Sequence, residues 1–329
     1  MSAFLHVREL AIVFDTPKGP VRALDGVDLS LGTGRTLGIV GESGSGKSTL
    51  GLAIGRLLPL NSRREGGDLL IDDRSVFDLA DADIRSLRRR DIGFVFQNPM
   101  TALNPTMRVG KQVARALGEG AGKERVHALM GRVGLPEPTR VARSFPHQLS
   151  GGMAQRVAIG MAIARDPRLL VCDEPTASLD TSIRDQILDL LLSLPSLIGA
   201  SVIVLSHDLR AIAKHCDAVA VMYGGRVVEY GASRDVFDVP GHPYTRALMA
   251  AAPGAEESGG MLEPIPGFQP VLRGPSQACA FEPRCHWSIE RCLGERPEAR
   301  LVARQTVLCH RADEVAADAA AHGRSEASA

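Results

Sequence analysis

The chain has 329 residues, 44% of them hydrophobic and 23% charged, the make-up of a folded globular protein of one large domain or two modest ones. Lys+Arg and Asp+Glu both total 38, so the net charge is zero and the basic excess of a dedicated nucleic-acid binder is missing. No stretch reaches the ~18–20 apolar residues that cross a bilayer. The nearest, LLLSLPSLIGASVIVL, holds Pro195 and several serines and reads as helix, turn and buried strand. The opening MSAFLHVREL lacks a basic region followed by an apolar core, so a cytosolic chain is expected, with any membrane role carried by a partner.

Residues 1–35 alternate apolar and polar positions around the turn signals TPKGP and LGTG, which predicts antiparallel strands. RTLGIV is a short apolar run that enters the glycine loop GESGSGKST, and STLGLAIGRLL continues with helical spacing. The segment from about 98 to 165 is helical in pattern. RLLVCDEP and SVIVLSHD then read as buried strands with an amphipathic helix between them, and AVAVMYGGRVVEYG as a hairpin turning at Gly224-Gly225. Strands alternating with helices imply a largely parallel α/β core. From about residue 252 the texture changes. APGAEESGG and PIPGFQP read as linker, four of the six cysteines follow, and the tail over 313–329 reads as disordered.

The loop carries the first chemistry. Gly41, Gly44 and Gly46 permit backbone conformations that turn N–H groups onto phosphate oxygens, and the helix behind the loop adds its positive dipole end. Ser43, Ser45 and Thr49 complete the loop. Lys47 is one of only five lysines in the chain, so its place here is not background composition. It would reach the β- and γ-phosphates, and the Ser48 hydroxyl would bind Mg²⁺. The strand RLLVCDEPT ends in two carboxylates. Asp173 would hold Mg²⁺ together with Ser48, and Glu174, one residue further on, could polarise the attacking water as a general base.

A second pattern, LSGGM, places Ser150, Gly151 and Gly152 at another helix start, again exposing backbone N–H groups. One nucleotide does not need two phosphate cradles on one chain. The second makes sense if it closes on a nucleotide held by another chain.

Together these segments resemble the ATP-binding subunit of an ABC transporter, from residue 5 to about 250. By that resemblance GESGSGKST is the Walker A loop, LLVCDE the Walker B strand and LSGGM the signature motif. Gln97 in FVFQNPMTALNP matches the Q-loop glutamine, a ligand of Mg²⁺ or of the lytic water. Asp180 in SLD matches the D-loop, and His207 in LSHD the switch histidine that orients that water on the γ-phosphate. Phe14 in AIVFDT stands where the family places an aromatic that stacks on adenine. The resemblance implies a P-loop NTPase fold of the ABC ATPase type: an N-terminal antiparallel β subdomain, a RecA-like core, a helical subdomain and a small Cys-rich C-terminal extension. It also implies ATP and Mg²⁺, and head-to-tail pairing in which ATP on one subunit is covered by the signature loop of the other.

GHPYTRALMAA, Gly241 to Ala251, followed by PIPG, resembles the C-terminal extension of the oligopeptide/dipeptide/nickel importer ATPases. That sets expected limits of 1–251 for the ATPase domain and 252–312 for the extension. It implies a second, paralogous ATPase subunit, two transmembrane permease subunits and an extracytoplasmic substrate-binding protein, and places the chain on the cytoplasmic face of the membrane. No nucleic-acid partner is expected. The competing readings are a soluble ABC ATPase acting on ribosomes or DNA, and nickel- or glutathione-type cargo in place of peptides.

Cys279, Cys285, Cys292 and Cys309 are spaced x5, x6 and x16. A reducing cytosol disfavours disulfides, and the missing C-x2-C pair fits a zinc ribbon poorly. A Cys₄-ligated iron–sulfur cluster tolerates irregular spacing, and the resemblance favours [4Fe–4S]. Zinc and unligated packing cysteines stay open. Cys172 and Cys216 lie in apolar contexts and are expected in the core.

Overall fold

The computed structural model describes residues 3–252 and 264–326. The chain divides into two compact units, Met1–Leu31 with Leu37–Asp78 and Ser206–Ala329, and Gly32–Thr36 with Leu79–Leu205.

In the first unit, strands Ala3–Thr16 and Gly19–Gly32 lie side by side, as the TPKGP turn requires, and Ser62–Ile71 adds antiparallel to the first of them, from Leu5 opposite Ile71 to Phe14 opposite Ser62. A two-residue strand, Arg74–Ser75, closes the far edge. This is the antiparallel subdomain. A second set of strands builds the nucleotide end. Thr36–Val40 is buried at every position and runs parallel to Ala218–Tyr223, so its run of apolar residues without alternation reflects burial on both faces. Ala218–Tyr223 turns through Gly224-Gly225 into Arg226–Ala232, as the hairpin reading expects.

The C-terminal extension continues this sheet. Gln305–Val307 pairs with Arg226–Ala232, Val307 standing opposite Glu229, and Arg300–Val302 pairs with Gln305–Val307. Behind these strands Ala312–Glu326 forms a helix, where the composition predicts a disordered tail over 313–329. The reason is packing. Ala312, Val315 and Ala316 are buried, and Ala312 and Ala316 close over Val302 and Val307 with Val239 and Cys309 alongside. Asp318 pairs with Arg246 at 2.6 Å. A stripe of small residues suffices because the sheet is already there to receive it. The rest of that tail, 327–329, and the linker reading at 253–260 lie outside the described residues.

In the second unit Ile92–Val95, Leu169–Asp173 and the strand beginning at Ser201 form a parallel ladder, Ile92 facing Leu169 and Leu169 facing Ser201. Between the first two strands the chain is helical, as read: Val109–Leu117, Lys123–Arg132, Pro138–Arg143 and Gly151–Ala162 are its main pieces. Thr181–Ile198 is one helix through Pro195, so the turn falls later than the proline suggests. It ends at Gly199, whose N–H reaches the Pro195 carbonyl at 2.9 Å.

The Gly-His-Pro-Tyr-Thr segment has a buried anchor in the first unit. Glu229 is fully buried, and its carboxylate accepts from the Gly241 N–H at 2.5 Å, the His242 N–H at 3.2 Å and the Thr245 hydroxyl. These lie at the start of helix Pro243–Ala250, where a carboxylate meets unpaired backbone donors. Burial pushes the Glu229 carboxyl up to about 7 from an ordinary 4.5, against the hydrogen bonds from Thr245, Gly241 and His242. Because the folded value is raised, the stability this group contributes is complete below pH 4.5 and is lost as pH rises through about 7. Glu229→Gln removes that titration. Thermal unfolding of the unaltered chain should therefore lose stability between pH 4.5 and 7 more steeply than the variant. His242, which burial pushes down to about 3, titrates in both and cancels from the comparison. Parallel curves would contradict the assignment.

Candidate functional site

Residues expected from the sequence to bind nucleotide fall in each of the two units, and each set is built by its own local chemistry. In the first unit the buried strand Thr36–Val40 ends in the glycine loop. Gly41 has φ 153°, and a Cβ there would lie 2.2 Å from the Met222 carbonyl oxygen and 2.9 Å from Ser45 Oγ. Gly46 has φ 104°, and its Cβ would lie 2.7 Å from the Ala23 carbonyl oxygen. Only glycine fits either position. A Cβ on the exposed Gly44, by contrast, would meet nothing within 4 Å, so the rim of the loop is open.

Lys47 is buried, and its ammonium donates to the carbonyl oxygens of Gly41 at 2.7 Å and Glu42 at 2.9 Å. The lysine is thereby folded over its own loop, with its charge held at the loop's centre. Helix Lys47–Ile54 carries no acidic residue in its first turn to occupy its positive end. The Ser45 hydroxyl is buried and has no hydrogen-bond partner among the described residues. A cation, a helix start, an orphaned hydroxyl and an open rim fit a bound phosphate chain. Ser43 and Ser48 are exposed and Thr49 is half-buried. Phe14 is half-buried near the end of its strand. His207 is exposed just after the strand Ser201–Ser206, and the next residue, Asp208, caps helix Leu209–His215 by accepting from the Ala211 N–H at 3.1 Å.

In the second unit Asp173 ends the strand Leu169–Asp173 and is half-buried. Glu174 follows with φ 44°, a left-handed backbone that a non-glycine residue rarely adopts and that costs about 1–3 kcal/mol. Its N–H is tied to the Leu205 carbonyl at 2.9 Å, and its carboxylate accepts from the Gln97 amide at 3.2 Å. The two residues stand 77 positions apart, and the fold brings the Q-loop glutamine onto the proposed base. Backbone strain and an amide partner fix where that carboxylate points.

Ser150 caps helix Gly151–Ala162, its hydroxyl accepting from the Met153 N–H at 3.3 Å. Gly151 and Gly152 are the first two helical residues, so their N–H groups lack intrahelical partners as expected. Gly152 has a second reason to be glycine: a Cβ there would lie 2.7 Å from Ile183 Cγ2. Asp180 is exposed at the start of the Thr181–Ile198 helix. Leu179 packs where a Cβ on Gly151 would touch it, so signature and D-loop segments are neighbours in this unit.

Cys172 and Cys216 are buried, as read from their apolar contexts. The other four cysteines gather in the extension. The Cys279 N–H donates to the Cys292 carbonyl at 3.0 Å, and the Arg311 N–H to Cys309 Sγ at 3.4 Å. Burial, with Cys279 and Cys292 nearby, pushes the Cys285 thiol up to about 11. Burial, with Cys279, Cys285 and Cys292 nearby, pushes Cys309 up to about 12. The thiols are neighbours, but among the described residues no group of three or more His, Cys, Asp or Glu side chains is arranged to hold a metal ion.

The sequence reading gave no role to Glu42, Tyr244 or Arg284, which meet at the phosphate loop. The one signal for them was an acidic residue inside a loop built to attract phosphate.

Residues 24–177 match the ABC transporter family model and residues 228–292 the oligopeptide/dipeptide transporter C-terminal region. The chain is 42% identical to the oligopeptide transport ATP-binding protein OppD of Bacillus subtilis over 305 residues, 90% of this chain and 85% of that one. It is 40% identical to OppD of Salmonella typhimurium, covering 90% of each, and 40% identical to the dipeptide transport ATP-binding protein DppD of Haemophilus influenzae, covering 94% and 95%. Among solved structures, the dimeric bacterial ABC transporter cassette MJ0796 superposes with a TM-score of 0.63 at 32% identity, over 70% of this chain and 99% of that one. The phosphate loop, the Asp-Glu strand, the capped Ser-Gly-Gly helix and the Gly-His-Pro-Tyr extension thus occur together and in order, and the chain belongs to the ABC transporter ATP-binding proteins of the oligopeptide/dipeptide type.

Proposed function

We propose that this chain binds and hydrolyses ATP to power the import of di- or oligopeptides. The observation that carries the reading is the presence, on one chain, of a glycine-cradled Lys47 loop and an oligopeptide-transporter-type C-terminal region. No helix among the described residues is long and apolar enough to cross a membrane. The translocation path then belongs to two permease subunits, with this chain docked on their cytoplasmic face, a paralogous ATPase beside it and a binding protein delivering cargo.

In this reading Lys47 and the N–H groups of Gly44 to Ser48 hold the β- and γ-phosphates. Ser48, Asp173 and Gln97 are the residues that would hold Mg²⁺, which neutralises phosphate charge as the terminal bond breaks. Glu174 takes the proton of the attacking water, and Gln97 keeps its carboxylate aimed. His207 donates to the γ-phosphate, and Phe14 lies against the adenine. Ser150, Gly151 and Gly152 serve the partner subunit's nucleotide, with Asp180 at the same face. Nucleotide occupancy then selects between open and closed dimers.

A finer reading places a [4Fe–4S] cluster on Cys279, Cys285, Cys292 and Cys309. The mutual influence of the thiols supports it, and the absence of a ready metal-holding group among the described residues counts against it. No step of hydrolysis depends on it.

Glu174→Gln should leave ATP binding intact and lower turnover of the assembled complex by about 10²–10⁴-fold. Undiminished ATPase would remove Glu174 as base. Lys47→Ala should weaken ATP binding by roughly 10–100-fold, as loss of a charge-assisted contact predicts; unchanged affinity would contradict the phosphate-loop assignment. Anaerobic purification should yield about four iron atoms and four acid-labile sulfides per chain if the cluster reading holds. Zinc alone, or no metal, rejects it.

A further inference from the structure

Glu42 is the only acidic residue of the loop GESGSGKST, and every polar group it has is engaged. Its backbone carbonyl accepts from Lys47 Nζ at 2.9 Å. Its N–H donates to the Tyr244 hydroxyl at 2.9 Å. Its carboxylate is gripped by both arms of the Arg284 guanidinium, at 2.8 and 3.0 Å, and accepts from the Gln269 amide at 3.2 Å.

The gripping groups are themselves fixed. Arg284 is buried and donates further to the carbonyls of Pro266 at 2.6 Å and Ile265 at 3.3 Å, and to the Tyr223 hydroxyl at 3.3 Å. Tyr244 is fully buried, its ring 4.6 Å from that of Tyr223 and 5.3 Å from that of Phe281. Gln269 accepts from the Gly224 N–H at 3.4 Å. Three separate stretches of the C-terminal region therefore converge on one loop residue, and that residue holds the phosphate-binding lysine.

We propose that the C-terminal extension sets the phosphate loop. Arg284, Gln269 and Tyr244 are positioning residues that hold Glu42, and through its carbonyl Lys47, in the binding arrangement before nucleotide arrives. The inference rests on the reading of this loop as the ATP site. A glycine-rich loop is expensive to order, and ordering it in advance removes that cost from binding. A bidentate fork on a half-buried carboxylate is a strong and directional way to do so. The extension is then part of the nucleotide site and not only an appendage.

The test is MgATP affinity by calorimetry on the full-length chain, with ATPase of the assembled complex in parallel. Arg284→Gln should raise the MgATP Kd by roughly 5–50-fold while kcat changes less than about 2-fold, since the residue touches no reacting atom. Arg284→Lys, which keeps the charge and loses the fork, should fall between the two. In a Glu42→Gln background, Arg284→Gln should add less than about 2-fold, because its route to Lys47 is already cut. An Arg284→Gln chain with unchanged melting temperature and wild-type MgATP affinity overturns the proposal. So does an Arg284→Gln effect of full size in the Glu42→Gln background, which marks a general loss of structure. Should Arg284→Gln not fold, Gln269→Ala, which also acts on the Glu42 carboxylate, carries the same comparison against Glu42→Gln. Lys47→Ala separates the two claims. If it weakens binding and Arg284→Gln does not, only this inference fails; if Lys47→Ala has no effect, the ATP-site reading fails first.

Discussion

Lys47 is held by two carbonyl oxygens of its own loop, and much of the first unit is arranged to make that possible. The loop can bend back on itself only with glycine at 41 and 46, where neighbouring carbonyl oxygens leave no room for a Cβ. It can start there only because Thr36–Val40, buried at every position, delivers it at a fixed place beside Ala218–Tyr223. The hairpin at Gly224-Gly225 then returns a strand that carries Glu229, and Glu229 anchors the segment from which Tyr244 reaches the loop. One cation among few lysines is thus linked by short steps to the far end of the chain.

The second unit solves a different problem, the aiming of a carboxylate. Glu174 sits in a strained backbone that its N–H bond to Leu205 and the flanking buried strand impose. Strain at such a position persists only where the surroundings over-determine it. Gln97 then supplies a directional partner for the carboxylate. The Ser150 helix start and the Asp180 segment pack together in the same unit through Gly152 and Ile183, and Gly151 and Leu179. The aimed Glu174 carboxylate, the Ser150 helix start and the Asp180 segment therefore all fall within the second unit.

Much of this was legible in the residues. Glycine spacing before a Lys-Ser pair, an apolar strand ending in Asp-Glu, and Ser-Gly-Gly before a helical run each state their chemistry locally. So did the Gly224-Gly225 turn and the core placement of Cys172 and Cys216. What was not legible depends on distant partners. Gly152 looked like a backbone donor, and only the fold puts Ile183 against it. The segment 312–326 is too poor in large apolar residues to announce a helix. It becomes one because Val302 and Val307 offer a surface that small side chains can cover. Glu42 and Arg284 are separated by 242 positions, and no local pattern joins them. The four cysteines show the limit from the other side: their spacing drew attention to a real neighbourhood of thiols without defining a metal geometry.

The central claim is that ATP bound at Lys47 drives peptide import through membrane partners. It is tested most directly by recovering the tagged full-length chain from detergent-solubilised native membranes and identifying what comes with it. The account predicts two permease subunits and a second ATPase chain in a fixed ratio, with ATP hydrolysis that rises when a peptide-loaded binding protein is added. Recovery of ribosomal proteins with no permease would contradict it.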